Sequence, residues 1–141
     1  MGKLVDSTIA VKNVIGTITD INQIYIGNQD VVNFGITVCV EPSGKTSSYT
    51  GMSYRKESNI TIYIYVYANY NDNGEETLLK ADDITETIES ILEQNKTLDS
   101  SVELLEVVRY ESGYIKKGNS KIRCNRLTVN IKTGPYLVMR G

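Results

Sequence analysis

The 141-residue chain contains no histidine and no tryptophan, and it has only two cysteines and two prolines. Without histidine the commonest general base is missing. Cys39 and Cys124 stand far apart, each in a strand-like run, and no Cys/His spacing suggests zinc. They read as two buried free thiols rather than a disulfide framework. A phosphate-cradling glycine loop, a G-x-S-x-G turn and a cluster of metal ligands are all absent from the sequence. Asp82, Asp83, Glu86, Glu89 and Glu93 could in principle do acid–base work, but they sit in and just before an amphipathic helix and read as its solvated face. No catalytic residue, metal ligand or cofactor site is therefore expected. No apolar run approaches membrane-spanning length, and MGKLVDSTIAVKN has no apolar run long enough for a secretory signal. These absences lead to the expectation of a protein made and kept in a cytoplasm, with no membrane partner.

What is present is ordinary in bulk. Hydrophobic residues make up 40% and charged residues 23%, as in a soluble globular protein. The length suits one domain over 1–141 that buries a core without disulfides or metals. The net charge of -2 hides a strong segregation. Glu75 to Glu106 carries ten acids and two bases, whereas Arg109 to the end carries eight bases and one acid. That asymmetry bears on partners and not on the fold.

Leu4, Val11, Val14, Ile15 and Ile18 recur at helical spacing, which predicts a short N-terminal helix with Asp6 or Ser7 as its cap. QIYIG, 23–27, reads as a short strand closed by the turn residues GNQD. In 31–41 Val32, Phe34, Ile36, Val38 and Val40 alternate with Asn33, Thr37, Cys39 and Glu41, which predicts a longer strand stopped by Pro42. The polar stretch 42–58 is expected to form a long loop. Residues 59–69 alternate almost without fault, and NDNG then marks a turn. Ile84, Ile88, Ile91 and Leu92 predict an amphipathic helix at about 82–95, with Thr77 the earliest start and Asp83 with Glu86 as a capping pair. Strands at 102–112 and 121–133 close the chain around a hairpin tip in YIKKGNSK, and the second ends at Gly134-Pro135. The apolar parity of the last strand changes from even (Ile122, Cys124) to odd (Leu127, Val129, Ile131), which suggests a β-bulge near Asn125-Arg126. The expected fold is α+β: one mostly antiparallel sheet with both helices on one face.

Three features exceed a plain soluble domain. Ile60, Ile62, Ile64, Val66 and Ala68 occupy one side of an extended chain, and Tyr63, Tyr65 and Tyr67 follow one another on the other. Tyrosine offers large apolar area and a hydroxyl at low entropic cost, and it is enriched at interfaces. Asp82, Glu86, Glu89 and Glu93 line one helical face. Lys116, Lys117, Lys121, Arg123 and Arg126 gather in the last hairpin. A solvated surface accounts for each feature alone. Together they suggest that the acidic helix of one copy meets the basic hairpin of the next, a head-to-tail contact that closes a ring or extends a filament.

The layout also resembles a known family. The N-terminal helix, the strand to about Glu41, SYRKESNITIYIYV, the helix ADDITETIESILEQN and the strand pair VELLEVVRYE and KIRCNRLTVNI are similar to tail terminator proteins of long-tailed bacteriophages and phage-tail-like particles. The resemblance implies a subunit of a hexameric ring in the virion, at the head–tail junction, assembled in the host cytoplasm. Such a ring caps the head-proximal end of the tail tube, stops its growth and offers a docking surface to the neck. The implied partners are other copies of the chain, the tail tube protein, and neck, connector or sheath proteins, with non-specific contact to DNA passing the ring. The family carries no catalytic residues. Another head–tail connector or neck ring protein is the nearest alternative. A nucleic-acid module built on the basic hairpin and a small-molecule-binding α+β domain are the alternatives from other classes.

Overall fold

The computed structural model describes residues 3–27, 35–50, 55–69, 75–95, 104–117 and 120–137. The elements follow the chain as α1 (Lys3–Ile15), β1 (Gln23–Ile26), β2 (Gly35–Thr50), β3 (Arg55–Asn69), α2 (Glu75–Gln94), β4 (Leu104–Lys117) and β5 (Ser120–Leu137). The five strands form one sheet in the order β1-β2-β3-β5-β4. Only the β1–β2 pair is parallel. The fold is α+β, with two helices and one mostly antiparallel sheet.

Alternation decides which face the helices cover. Ile36, Val38 and Val40 of β2, Ile60 to Ala68 at even positions of β3, and Leu127, Val129 and Ile131 of β5 join Val11, Val14 and Ile15 of α1 and Ala81, Ile84, Ile88 and Leu92 of α2 in one buried cluster. Each fully buried Ile, Leu or Val contributes about 1.5–3 kcal/mol. A slip of one residue in β3 would exchange this apolar set for tyrosines, so the face fixes the register. α1 packs on β1 and β2, while α2 crosses β3, β5 and β4. The other face carries no helix among the described residues.

Several boundaries differ from those read in the sequence. α1 begins at Lys3, so Asp6 and Ser7 lie inside it and cap nothing. Its end is where Gly16 donates its N–H to the Lys12 carbonyl and the chain tightens through Thr17 and Ile18. α2 begins at Glu75, because the helix-forming run EETLLK extends it upstream, and Asp83 stands two turns inside. Where the expected loop at 42–58 is described, at 42–50 and 55–58, it is instead paired strand, the two sides of a long arm. β2 runs to Thr50 and β3 starts at Arg55, with continuous partners from Gly44↔Thr61 to Thr50↔Arg55. Backbone pairing needs no apolar alternation, so a polar strand rich in serine and threonine reads as a loop. Pro42 does not stop the ladder, and β5 likewise continues past Gly134-Pro135 to Leu137. In both places the register shifts, between Pro42 and Gly44 and between Lys56 and Ser58 opposite Pro135, so the missing donor falls in an irregularity.

The β-bulge expected at Asn125-Arg126 is absent there. The register of β5 on β3 is unbroken from Ser58↔Thr133 to Ala68↔Arg123, and the bulge lies in β4, between Val107 and Arg109. The parity change in β5 has another cause: Asn125 is a buried polar residue on the helix face, whereas Ile122 and Cys124 belong to a second small cluster on the opposite face. Val32, Asn33 and Phe34, residues 28–30 of the GNQD turn, residues 51–54, the NDNG turn, Val102 and the hairpin tip Gly118-Asn119 lie outside the described residues.

Candidate functional site: the open sheet face and the α2–β5 contact

The helix-free face presents Tyr25 from β1, Cys39 and Glu41 from β2, the tyrosines of β3, Cys124, Arg126 and Thr128 from β5, and Arg109, Glu111, Gly113 and Ile115 from β4. Cross-strand register sets this arrangement: Cys39↔Tyr65↔Arg126↔Glu111 form one row, and Glu41↔Tyr63↔Thr128↔Arg109 the next. Tyr63 and Tyr65 are half-buried, with ring centroids 6.2 Å apart and tilted by 58°. Tyr67 is 1% exposed and stacks on Tyr65, with centroids 6.0 Å apart and planes 4° apart. Of the three tyrosines expected at the surface, Tyr67 is thus closed off, and Tyr63 and Tyr65 remain.

Arg126 organises the face. Its guanidinium lies 4.7 Å from the Tyr63 ring centroid, a cation–π distance. Its Nε donates to Glu111 Oε1 at 3.2 Å and its Nη2 forms an ion pair with the same oxygen. That hydrogen bond holds the Glu111 carboxyl below the usual carboxylate range, with the charges of Arg109 and Arg126 adding to it. It also raises Arg126, helped by a hydrogen bond with Tyr65. Arg109 sits 3.4 Å from Glu111 and is largely exposed. Cys39 and Cys124 belong to this face and are not joined in a disulfide. They oppose Tyr65 and Tyr67 from the two flanking strands, so β3 lies between them. Two strand spacings of about 4.8 Å each exceed the roughly 7 Å reach of a disulfide between Cα atoms.

The helix face holds a polar cluster. Asn125 is fully buried, and its Nδ2 donates to Asp82 Oδ1 at 2.8 Å and Thr85 Oγ1 at 3.0 Å. The Tyr110 hydroxyl reaches Asp82 Oδ1 at 3.4 Å. Arg123 lies 3.5 Å from Asp82 and 5.2 Å from the Tyr114 ring centroid. Thr85 donates to the Ala81 carbonyl at 2.7 Å and so offers its remaining lone pair to Asn125. Burial raises the Tyr110 phenol above its ordinary value, and the charge of Asp82 adds to the effect. Among the described residues, Arg123 Nε and Asn125 Oδ1 are buried without a hydrogen-bond partner.

These contacts divide the expected charge groups. Asp82 and Arg123, assigned by sequence to two separate surfaces, meet within one chain. Arg126 lies on the opposite face of β5 from Arg123. Lys116 and Lys121 are register partners, and Lys117 pairs with Ser120. Glu86 and Glu93 point to solvent and Glu89 is half-buried. The sequence reading missed Asn125, Tyr110 and Glu111. Only the parity break at Asn125-Arg126 hinted at the first.

A groove of about 470 Å³ opens between α2 and the start of β2, lined by Thr19, Asp20, Asn22, Ile36, Lys80, Asp83 and Ile84. Its lining is mostly polar, unlike the apolar pockets that take small ligands. Among the described residues no group of three His, Cys, Asp or Glu side chains is placed to hold a metal ion, and no helix is long and apolar enough to cross a membrane. The chain matches no protein-family model and no curated protein.

Proposed function

We propose that the chain is a structural subunit that assembles with copies of itself into a ring, and that the ring is a tail terminator of a long-tailed bacteriophage or phage-tail-like particle. The observation that carries the reading is the helix-free sheet face with Tyr63, Tyr65 and Arg126. Sheets in two-layer folds leave one face to water or to a partner. Tyrosine and arginine are the residues that anchor protein interfaces. The segregation of acid onto α2 and base onto the last strands supports a head-to-tail contact, and the long β2–β3 arm supplies further reach for subunit or tube contacts. In this reading the ring sits in the virion at the head–tail junction, capping the tube and docking the neck or connector, after assembly in the bacterial cytoplasm.

Native mass spectrometry over a range of concentrations, with negative-stain images of the same samples, tests the assembly. Hexamers with six-fold end views are expected. Co-sedimentation with purified tail tubes tests the placement. A stable dimer that ignores tail tubes would overturn the proposal.

A further inference from the structure

Gly113 stands in the middle of β4, level with Cys124 of β5. Glycine in a strand interior costs stability and needs a reason. Its φ lies outside the left-handed region, where only Gly27 and Gly35 are found among the described glycines. Close packing within the chain does not require it either: among the described residues nothing lies within 4 Å of where its Cβ would stand. The missing side chain leaves a hollow of about 180 Å³ on the open face, lined by Tyr65, Ile115, Cys124, Arg126 and Glu111. Its floor is apolar and its rim is charged.

The outward side of α2 offers a matching shape. Leu79, Asp83, Glu86, Ser90 and Glu93 are all exposed and follow one another at four- and three-residue steps. Leu79 is 57% exposed, the most exposed of the large hydrophobic side chains described. One turn further on is Asp83 and a second turn brings Glu86, so an apolar knob is followed by two carboxylates. The hollow has Arg126 at its rim and Arg109 beyond it. α2 and the hollow lie on opposite faces of one sheet, so Leu79 cannot reach the hollow of its own chain.

We propose that Leu79 of one copy seats over Gly113 of the next, with Asp83 and Glu86 directed at Arg126 and Arg109. The occupant of the open face is thus the α2 surface of a second copy. Because the two surfaces differ, the contact is heterologous and repeats around a ring. This inference rests on the ring-forming reading above and names the contact that builds the ring.

Two variants test it in the full chain. Gly113→Val fills the hollow with a residue suited to a strand, so at dilutions where the wild type is also dissociated its thermal midpoint stays at or above that of the wild type, while self-association at higher concentration is lost. Leu79→Asp removes the knob from a solvent-exposed position, so folding is unchanged while the concentration for half-assembly rises at least about tenfold. Val5→Asp, at an exposed apolar position on α1, leaves assembly as in the wild type. Native mass spectrometry with circular dichroism on each sample reads both quantities. Rings that persist in Leu79→Asp or in folded Gly113→Val at wild-type concentrations overturn this contact and leave the ring itself standing. A wild type that stays monomeric with and without tail tubes overturns the ring and this contact with it.

Discussion

Gly35→Ala isolates one close approach on which the start of the sheet depends. Gly35 opens β2 with φ of +103°, a conformation that L side chains rarely adopt. A Cβ placed there would lie 2.8 Å from Asn22 Cγ, inside van der Waals contact. Asn22 cannot yield freely. Its Oδ1 accepts the Ile36 N–H at 2.8 Å, and its own N–H donates to the Ile36 carbonyl at 3.0 Å. These two bonds tie the turn after α1 to β2 just before β1 begins. Backbone strain at such a position costs about 1–3 kcal/mol. Displacing the Asn22 side chain leaves a buried N–H without its acceptor, about 1–3 kcal/mol more. The sum, about 2–6 kcal/mol, is a large fraction of the roughly 5–15 kcal/mol that stabilises a domain. Urea unfolding should show it as a lower midpoint at unchanged slope. The two terms separate in a double-mutant cycle. Asn22→Ala alone loses the acceptor. Gly35→Ala added to that background should cost only the strain, so the double variant should fall short of additivity by about 1–3 kcal/mol. A Gly35→Ala loss below about 0.5 kcal/mol would refute both terms, and strict additivity would refute the close approach.

Two further predictions concern the buried polar cluster. Asn125→Asp sets a second carboxylate against Asp82 in a buried site, and it should cost on the order of 3 kcal/mol or more at pH 7. Part of that loss should return in acid, as the pair comes to share a proton, when unfolding is followed from pH 7 to pH 4. The Tyr110 phenol, raised above the ordinary 10.0 by burial and by Asp82, stabilises the fold fully below that value. The contribution is lost as pH climbs through the folded pKa. Tyr110→Phe should flatten that part of the alkaline unfolding profile, and Asp82→Asn should let Tyr110 ionise at lower pH in an ultraviolet titration.

Much of the fold is legible because period-2 and period-3.6 patterns survive wherever one side of an element is buried. Ile60 to Ala68 and Ile84 to Leu92 announce their faces without help. Legibility fails where backbone pairing carries the structure. KTSSYT pairs along its length with β3 and shows no apolar rhythm, so a paired strand looks like a loop. It fails again where a polar residue is buried for its partners. Asn125 satisfies Asp82 and Thr85 across 43 and 40 residues of chain, and no local pattern encodes such a distance. The candidate site was half visible. The tyrosine row stands out by alternation. The Arg126–Glu111 pair beside it depends on the β4–β5 register and on a bulge at Val107/Arg109 that no turn signal marks.

The two faces of the sheet therefore answer to different constraints, and that difference can be measured. On the helix face Ile62 is fully enclosed, so Ile62→Ala removes buried methyl groups with partial collapse of the space and should cost about 2–5 kcal/mol. On the open face Tyr63 is only half-buried, and its ring contacts are a tilted one with Tyr65 and the Arg126 guanidinium. The cross-strand partners of Tyr63 are Glu41 and Thr128, and pairs of this kind contribute about 0.2–1 kcal/mol relative to alanine. Tyr63→Ser should therefore leave unfolding within about 1.5 kcal/mol of the wild type. If the open face served only the single chain, the same substitution would change nothing else. If it meets a second copy, Tyr63→Ser should weaken assembly by more than it weakens folding, whereas Ile62→Ala should do the reverse. Equal effects of both substitutions on folding and assembly would mean that the two faces do not divide the work.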